Sequence, residues 1–213
     1  MSAPREAILA RIRSIERAPQ PAVARAYRRA GGLDPRSRLD RLAERLADYR
    51  ADVESVDAAE VGATVEAVCE RHAARKLAVP PGFPDEWRPA AVELVLDQGL
   101  TTRELDAVDG ALTGCTLAIA ETGTLVLAGG TLDGRRALTL VPDLHICVVQ
   151  SSQVVELVPE GIAALEQLVV RSRRPLTFIS GPSATSDIEL SRVEGVHGPR
   201  RLAVLIIDEE KQP

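Results

Sequence analysis

Residues 116–128 read TLAIAETGTLVLA, a stretch in which two short apolar runs flank the tripeptide Glu-Thr-Gly. Apolar runs of this length next to a turn are typical of buried β-strands, and Gly123 permits backbone angles that a side chain would resist. The stretch therefore predicts a strand, a tight turn and a second strand. Glu121 is its only charged residue, which raises the question of what that carboxylate does.

Similar apolar runs recur on both sides of this hairpin. Runs that predict strands are KLAVP (76–80), ALTLVP (137–142), HICVVQ (145–150), LTFIS (176–180) and RLAVLII (201–207). Helices are predicted over 90–98, where Gly99 would end the helix, and over PEGIAALEQLVVRS (159–172). Strands that alternate with helices indicate the α/β class, in which helices cover the faces of a sheet.

The first third of the chain has a helical pattern instead. The spacing of apolar residues predicts helices over 4–17, 37–56 and 61–76. We therefore assign residues 1–75 to a helical N-terminal extension or lid, and residues 76–213 to the α/β domain. Five arginines lie between Arg36 and Arg50. They indicate either a solvated helix face or a surface for an acidic partner.

Composition restricts the functions that are open to the chain. The formal net charge is -5 and aromatic residues make up only 2%, which argues against a protein that grips nucleic acid or stacks bases. The three cysteines lack the C-x-x-C spacing of zinc or iron–sulfur ligands, and no secretory signal is recognisable. The longest weakly charged run, 111–132, carries too many Gly and Thr residues for a membrane helix. We expect a cytoplasmic protein without a bound metal.

Glu121 is a candidate catalytic residue. In open α/β sheets, ligands bind beyond the carboxyl ends of strands, and Glu121 follows a predicted strand. A carboxylate there is able to act as a nucleophile, a general base or an orienting group. The alternative is a structural carboxylate that pairs with a buried arginine or caps backbone N–H groups. Arg135 and Arg136 are candidates to reach a carboxylate, either that of Glu121 or that of a substrate.

Two glycine-containing stretches offer an anion site. GPSATSDIEL (181–190) follows a predicted strand and opens a short helix, where hydroxyls and free N–H groups suit a phosphate or carboxylate. Plain N-capping, with Ser186 at the first position of an S-x-x-E capping box, is the alternative. GVHGP (195–199) leaves His197 free to approach a ligand and to titrate near neutrality, or to make one backbone hydrogen bond. His145, which opens a predicted strand, is similar.

The candidate catalytic residues are thus Glu121 and His197. The candidate ligand-binding residues belong to the same turns and to the loop before ALTLVP: Thr122, Gly123, Thr124, Arg136, Gly181, Pro182, Ser183, Thr185, Ser186, Asp187 and Gly198. Three scattered histidines without metal-ligand spacing make a poor case for zinc, so no metal ligands are assigned.

Four signatures in order, AIAETGTLVL, RALTLVP, GPSATSDIE and GVHGP, resemble the lactate-utilisation protein C and LUD-domain (DUF162) family over about 76–207. The resemblance implies a three-layer, Rossmann-like fold of the type shared by glucosamine-phosphate isomerase, ribose-phosphate isomerase and CoA-transferases. It also implies a role in the oxidation of L-lactate to pyruvate, together with two partner proteins that carry iron–sulfur clusters. No cofactor is then expected on this chain itself.

Three functional hypotheses follow. In the first, the chain is a component of an L-lactate dehydrogenase complex. Arg136 then pairs with a small carboxylate or phosphate-bearing ligand, and Glu121 orients that ligand or accepts a proton. His197 is the partner that gains or loses a proton near neutral pH. In the second, the chain is a non-catalytic assembly or regulatory subunit. In the third, Glu121 is the nucleophile of a CoA-transferase or thioesterase, since Ala-Glu-Thr-Gly is weakly similar to the Ser-Glu-Asn-Gly turn of CoA-transferases. Thr122 stands where that turn has Asn.

Overall fold

The computed structural model describes residues 3–15, 26–182, 184–185, 193–194 and 198–208. Six parallel strands form its central sheet. With strands numbered along the whole chain, these are β1 (Asp52–Val56), β2 (Lys76–Val79), β3 (Glu93–Leu96), β4 (Gly110–Gly114), β7 (Leu144–Gln150) and β12 (Arg201–Ile207). Their order across the sheet is β1-β12-β7-β4-β2-β3.

The remaining strands form two smaller sheets. They are β5 (Leu117–Ile119), β6 (Thr124–Leu127), β8 (Val154–Val155), β9 (Thr177–Ile179), β10 (Ala184–Thr185) and β11 (Val193–Glu194). The second sheet has the order β8-β5-β6-β9, and β10 pairs with β11 alone. β5 and β6 are antiparallel neighbours, so the strand–turn–strand unit predicted from TLAIAETGTLVLA is confirmed.

The helices within the described residues are α1 (Ala3–Arg13), α2 (Pro35–Asp48), α3 (Val61–Arg71), α4 (Thr102–Asp106) and α5 (Val158–Ser172). α2 begins at a clear capping signal, because the Asp34 carboxylate accepts a hydrogen bond from the Ser37 backbone at 2.9 Å. α4 begins with a capping box formed by Thr101 and Glu104. None of the described helices combines the length and apolar character needed to cross a membrane.

The central sheet is buried on both faces, as its uninterrupted apolar strands predict. On one face, Val65 of α3 shares a buried cluster with Leu205 of β12. On the other face, Leu46 of α2 shares a cluster with Val204 of β12 and with residues of the second sheet. The far side of the second sheet packs on Leu165 of α5. The layered α/β architecture expected from the resemblance is confirmed.

The helix predicted over 37–56 is wrong beyond Asp48. Arg50 adopts a φ of 66°, and the Ala51 backbone N–H donates to the Leu46 carbonyl at 3.1 Å, which closes the helix. The chain then enters β1, which pairs in parallel with β12. Residues 52–71, assigned by sequence to the N-terminal extension, therefore contribute an edge strand and a covering helix to the central sheet.

Two further local predictions are wrong. The helix predicted over 90–98 is instead β3, paired in parallel with β2: the backbone N–H groups of Glu93 and Asp97 donate to the Arg75 and Val79 carbonyls, at 3.0 and 2.8 Å, and not along a helix. The strand predicted at ALTLVP is a short 3₁₀ turn over Arg136–Thr139. β4, which begins and ends with glycine, was not predicted at all.

α1 lies apart from the buried layers. Its two isoleucines, Ile8 and Ile12, have exposed fractions of 60% and 57%, and Ile15, just beyond the end of the helix, is 64% exposed. The apolar face that predicted this helix is therefore open to solvent.

Candidate functional site

The turn that carries Glu121 requires a glycine. Gly123 has a φ of 59°, a left-handed conformation that residues with a Cβ rarely adopt. A Cβ placed there would also lie 2.8 Å from Cβ of Arg45 and 2.9 Å from its carbonyl carbon. The Glu121 backbone N–H donates to the Glu156 carbonyl at 2.9 Å, which anchors the turn to the second sheet. The special backbone predicted for Gly123 is confirmed.

The carboxylate of Glu121 pairs with an arginine from the N-terminal part of the chain. Arg28 Nη2 lies 2.6 Å from Glu121 Oε1, and Arg28 Nη1 lies 3.9 Å from Glu156 Oε1. Backbone N–H groups of Gly32 and Leu33 donate to Glu156 Oε2 at 2.6 and 2.7 Å. Residues 28–33 thus lie against Glu121 and Glu156 and border a small cavity of 160 Å³.

Neither arginine proposed from sequence contacts Glu121. Arg135 binds Asp97 through two hydrogen bonds, of 2.7 Å from Nε and 2.9 Å from Nη2. Arg136 donates from Nη1 to the carbonyl and hydroxyl of Thr139, at 3.2 and 3.0 Å. The carboxylate partner of Arg135 is therefore structural, and the partner of Glu121 is Arg28.

A row of hydroxyls connects this turn to the loop after β9. Thr122 Oγ1 lies 2.7 Å from Thr124 Oγ1, which in turn lies 2.8 Å from Ser180 Oγ. Ser180 directly precedes the glycine that opens the GPSATSDIEL stretch. Side-chain hydrogen bonds therefore join the Glu-Thr-Gly turn to Ser180, the residue that precedes the second predicted ligand-binding stretch.

The residues that follow Ser180 line a cavity of 220 Å³, referred to below as the Arg136 cavity. It lies at the amino ends of β7 and β12, the opposite end from the one at which open α/β sheets usually bind ligands. The residues that line it are Arg136, Thr139, His145, Phe178, Ile179, Ser180, Gly181, Pro182, Gly198, Pro199 and Leu202. The cavity thus brings together four predicted site residues from three separate motifs, while Glu121 lines a different cavity.

Several predicted site residues cannot be placed. Ser183, Ser186, Asp187 and His197 lie outside the described residues. Thr185 is described through its backbone only, as part of β10, where it pairs with Val193. The roles assigned to these five side chains stay predictions.

Arg136 is the cationic group of the cavity. Burial lowers the pKa of its guanidinium, which means that part of its hydration is lost. Among the described residues, no carboxylate forms an ion pair with it, whereas Arg28, Arg36, Arg41, Arg45 and Arg135 each have one. A desolvated guanidinium that lacks an anionic partner is suited to a carboxylate or phosphate group of a ligand.

His145 is a functional candidate to which the sequence gave little weight. It is only 1% exposed, and its Nε2 lies 2.8 Å from Thr113 Oγ1. Its Nδ1 is buried and has no hydrogen-bond partner among the described residues. Burial, assisted by the nearby charge of Arg136, lowers the pKa of His145 to about 4. The one feature of the sequence that pointed to His145 was its position at the start of a predicted strand. That position does not show that the residue lines a cavity.

The cysteines are buried and unpaired. Cys69, Cys115 and Cys147 are free thiols within the hydrophobic core. Burial raises the pKa of Cys69 to about 11, and contact with Cys147, together with burial, raises that of Cys115. Buried thiols with a raised pKa carry little thiolate at neutral pH, so these cysteines are poor candidates for nucleophiles. In the described part of the chain, no group of three or more His, Cys, Asp or Glu residues is placed to hold a metal ion.

Residues 39–207 match the LUD domain. That match covers most of the chain, and the protein therefore belongs to the LUD-domain family. A crystal structure of a DUF162-family protein from Deinococcus radiodurans is similar, with a TM-score of 0.72 and 38% identity over 83% of this chain and 100% of that one.

Similar sequences carry a common name. The chain is 48% identical over 171 residues to lactate utilization protein C of Deinococcus radiodurans, an alignment that covers 79% of each protein. It is 40% identical over 95 residues to lactate utilization protein C of Bacillus pumilus, covering 43% of this chain and 39% of that relative. The alignment with the Bacillus protein is thus restricted to part of both chains.

Proposed function

We propose that this protein takes part in lactate utilisation, as a component of a system that oxidises L-lactate to pyruvate. The proposal is supported by membership of the LUD-domain family and by 48% identity to a protein named lactate utilization protein C. It is tested by comparing growth on L-lactate of the source organism with and without the gene. Growth that does not depend on the gene would contradict the proposal.

Within that function, the chain binds a small anionic ligand in the Arg136 cavity. The observation that carries this assignment is a partly desolvated guanidinium without a carboxylate partner among the described residues, placed beside Gly181 and Gly198. Glycines next to a cation allow a ligand to approach the backbone closely. The cavity volume of 220 Å³ suits a ligand of few heavy atoms.

Calorimetric titration with L-lactate, pyruvate and inorganic phosphate tests this site. The variant Arg136→Gln keeps the length of the side chain but removes its charge, and we expect at least a roughly tenfold loss of affinity. Arg103→Gln is the matched control, because Arg103 is exposed on α4 and does not line the cavity. Equal affinities of the two variants would contradict a role of Arg136 in binding.

The catalytic role of Glu121 is a separate part of the proposal. Glu121 is linked to the cavity through Thr122, Thr124 and Ser180, and its own carboxylate contacts Arg28. In the CoA-transferase alternative, acyl-CoA followed by hydroxylamine would leave a mass shift on the peptide that contains Glu121. An unmodified peptide would contradict that alternative.

Two iron–sulfur proteins are the proposed partners. Mild affinity purification from cells grown on lactate, with iron analysis and mass spectrometry, tests this. Recovery of two cysteine-rich iron–sulfur proteins supports the proposal, and recovery of the chain alone without iron contradicts it.

A role as an assembly subunit is the second candidate, and the exposed apolar face of α1 favours it. The arginine-rich face of α2 does not, because Arg36, Arg41 and Arg45 pair with acidic residues of the same helix. Deletion of residues 1–15 separates the two roles. Loss of partner recovery with unchanged binding of L-lactate is expected for docking through α1.

A further inference from the structure

His145, which lines the cavity that also contains Arg136, has a buried ring nitrogen without a hydrogen-bond partner among the described residues. A buried polar atom without a hydrogen bond costs about 1–3 kcal/mol, so such atoms are rare in folded proteins and usually have a specific reason. Nε2 of His145 is bound to Thr113, whereas Nδ1 has no partner in the described part of the chain. His145 lines the cavity, so Nδ1 is the ring nitrogen that is left for a ligand.

The contact with Thr113 is compatible with a proton on either ring nitrogen of His145. If Nε2 were the donor, the Thr113 hydroxyl would need a further acceptor, and it has none among the described residues. If the hydroxyl donates to Nε2, the hydroxyl and Nε2 are both satisfied and the ring proton is on Nδ1. Each tautomer leaves one donor without an acceptor, the Thr113 hydroxyl in one case and Nδ1–H in the other, and the Nδ1–H tautomer is the one whose free donor belongs to a residue that lines the cavity.

Resting on the anion site proposed above, we propose that His145 Nδ1–H donates a hydrogen bond to the oxygen on C2 of a short 2-hydroxy or 2-oxo acid. The carboxylate of that acid binds Arg136. His145 is then a specificity-determining residue, which distinguishes such acids from simple carboxylates of the same length.

The charges of the cavity select this class of ligand. Arg136 is the only Lys or Arg among the described lining residues, which matches one negative group and not two. Because the pKa of His145 is lowered to about 4, its imidazole is neutral at physiological pH and adds no second positive charge. A neutral, directional donor beside a cation suits an uncharged oxygen next to a carboxylate.

Propionate differs from L-lactate only by the oxygen on C2, and it is therefore the matched probe. We expect the wild-type chain to bind L-lactate and pyruvate roughly three- to tenfold more tightly than propionate, the effect of one neutral hydrogen bond. His145→Leu should bind all three acids with similar affinity. His145→Asn, which keeps an N–H close to the position of Nδ1, should retain the preference.

A preference for L-lactate that persists in folded His145→Leu protein would overturn the assignment to His145 and leave the anion site intact. Binding of none of the three acids by the wild-type protein would overturn both proposals. Binding that is unaffected by Arg136→Gln would overturn the anion site. A purely structural role of His145 would lower stability in both variants without changing the ratio of affinities.

A measurement on the wild-type protein avoids the risk that a variant does not fold. The chain has only 3 histidines, so the ring nitrogen signals of His145 can be assigned in an NMR spectrum by comparison with His145→Asn. We expect a neutral ring protonated on Nδ1, and a shift of that nitrogen on addition of pyruvate but not of propionate. An unchanged signal at saturating pyruvate, or a proton on Nε2, would overturn the proposal.

Discussion

Arg28 Nη2 lies 2.6 Å from Glu121 Oε1, across 93 positions of sequence. The same guanidinium also faces Glu156, whose carboxylate accepts hydrogen bonds from the backbone of Gly32 and Leu33. Arg28 therefore contacts the Glu121 carboxylate, which stays partly exposed to solvent. Glu121 thus has an ion-pair partner within the chain. The contribution of this ion pair to protein stability and the role of the Glu121 carboxylate in activity can be measured separately.

The Arg28–Glu121 pair should contribute little to stability. The side chains are 68% and 40% exposed, and exposed ion pairs contribute at most about 1 kcal/mol. We expect Arg28→Ala and Glu121→Gln each to lower the free energy of unfolding by less than about 1 kcal/mol in urea denaturation. Glu121→Gln is then a clean test of activity: unchanged lactate oxidation in a reconstituted complex would rule out the proposed role of Glu121.

Gly123→Ala should be strongly destabilising. The positive φ and the close approach of Arg45 together predict a loss of about 2–4 kcal/mol. Gly32→Ala is the matched control, since a Cβ there meets nothing within 4 Å and the backbone N–H is retained. Similar midpoints of thermal unfolding for the two variants would show that the turn tolerates a side chain.

Arg135→Ala should leave a buried carboxylate without its cation. Burial raises the pKa of Asp97, but hydrogen bonds from Arg135 and from the Leu100 backbone outweigh burial and hold the pKa below its usual value. The side chain of Asp97 is 2% exposed, so we expect a loss of about 3 kcal/mol, against at most about 0.5 kcal/mol for the exposed Arg103→Ala. Chemical denaturation of both variants checks the difference.

The depressed pKa of His145 makes stability depend on pH. Between about 4 and its ordinary value of 6.5, the unfolded chain binds a proton that the folded protein excludes. Stability is therefore complete above pH 6.5 and falls as the pH drops towards 4, by on the order of 3 kcal/mol. The difference between wild type and His145→Asn in urea titrations at several pH values isolates this contribution, and parallel curves would contradict it.

Local signals were sufficient for the hairpin and for much of the sheet. The positive φ of Gly123 follows from its place in a tight turn between two apolar runs, and β12 follows from an uninterrupted apolar run. Where a local signal was missing, the prediction failed. α2 ends through a left-handed Arg50 and not a glycine, and β3 is set by pairing with β2, which is a non-local contact.

The candidate site was predictable only in part for the same reason. Arg136, Gly181 and Gly198 come from recognisable loops, and the structure brings them to one cavity. The partners of Glu121 and His145 were not predictable, because Arg28 and Thr113 are 93 and 32 positions away from them in sequence. Ion pairs and buried hydrogen bonds of this kind depend on the assembled fold.

The position of β12 has a consequence for biosynthesis. It is the last strand of the central sheet in chain order, yet it lies between β1 and β7 and pairs in parallel with both. During translation, the five earlier strands leave the ribosome first, and until β12 follows, β1 has no strand partner in this sheet and β7 has one unpaired edge. Contacts between such distant segments form slowly, so we expect the nascent chain to be most prone to aggregation before β12 emerges.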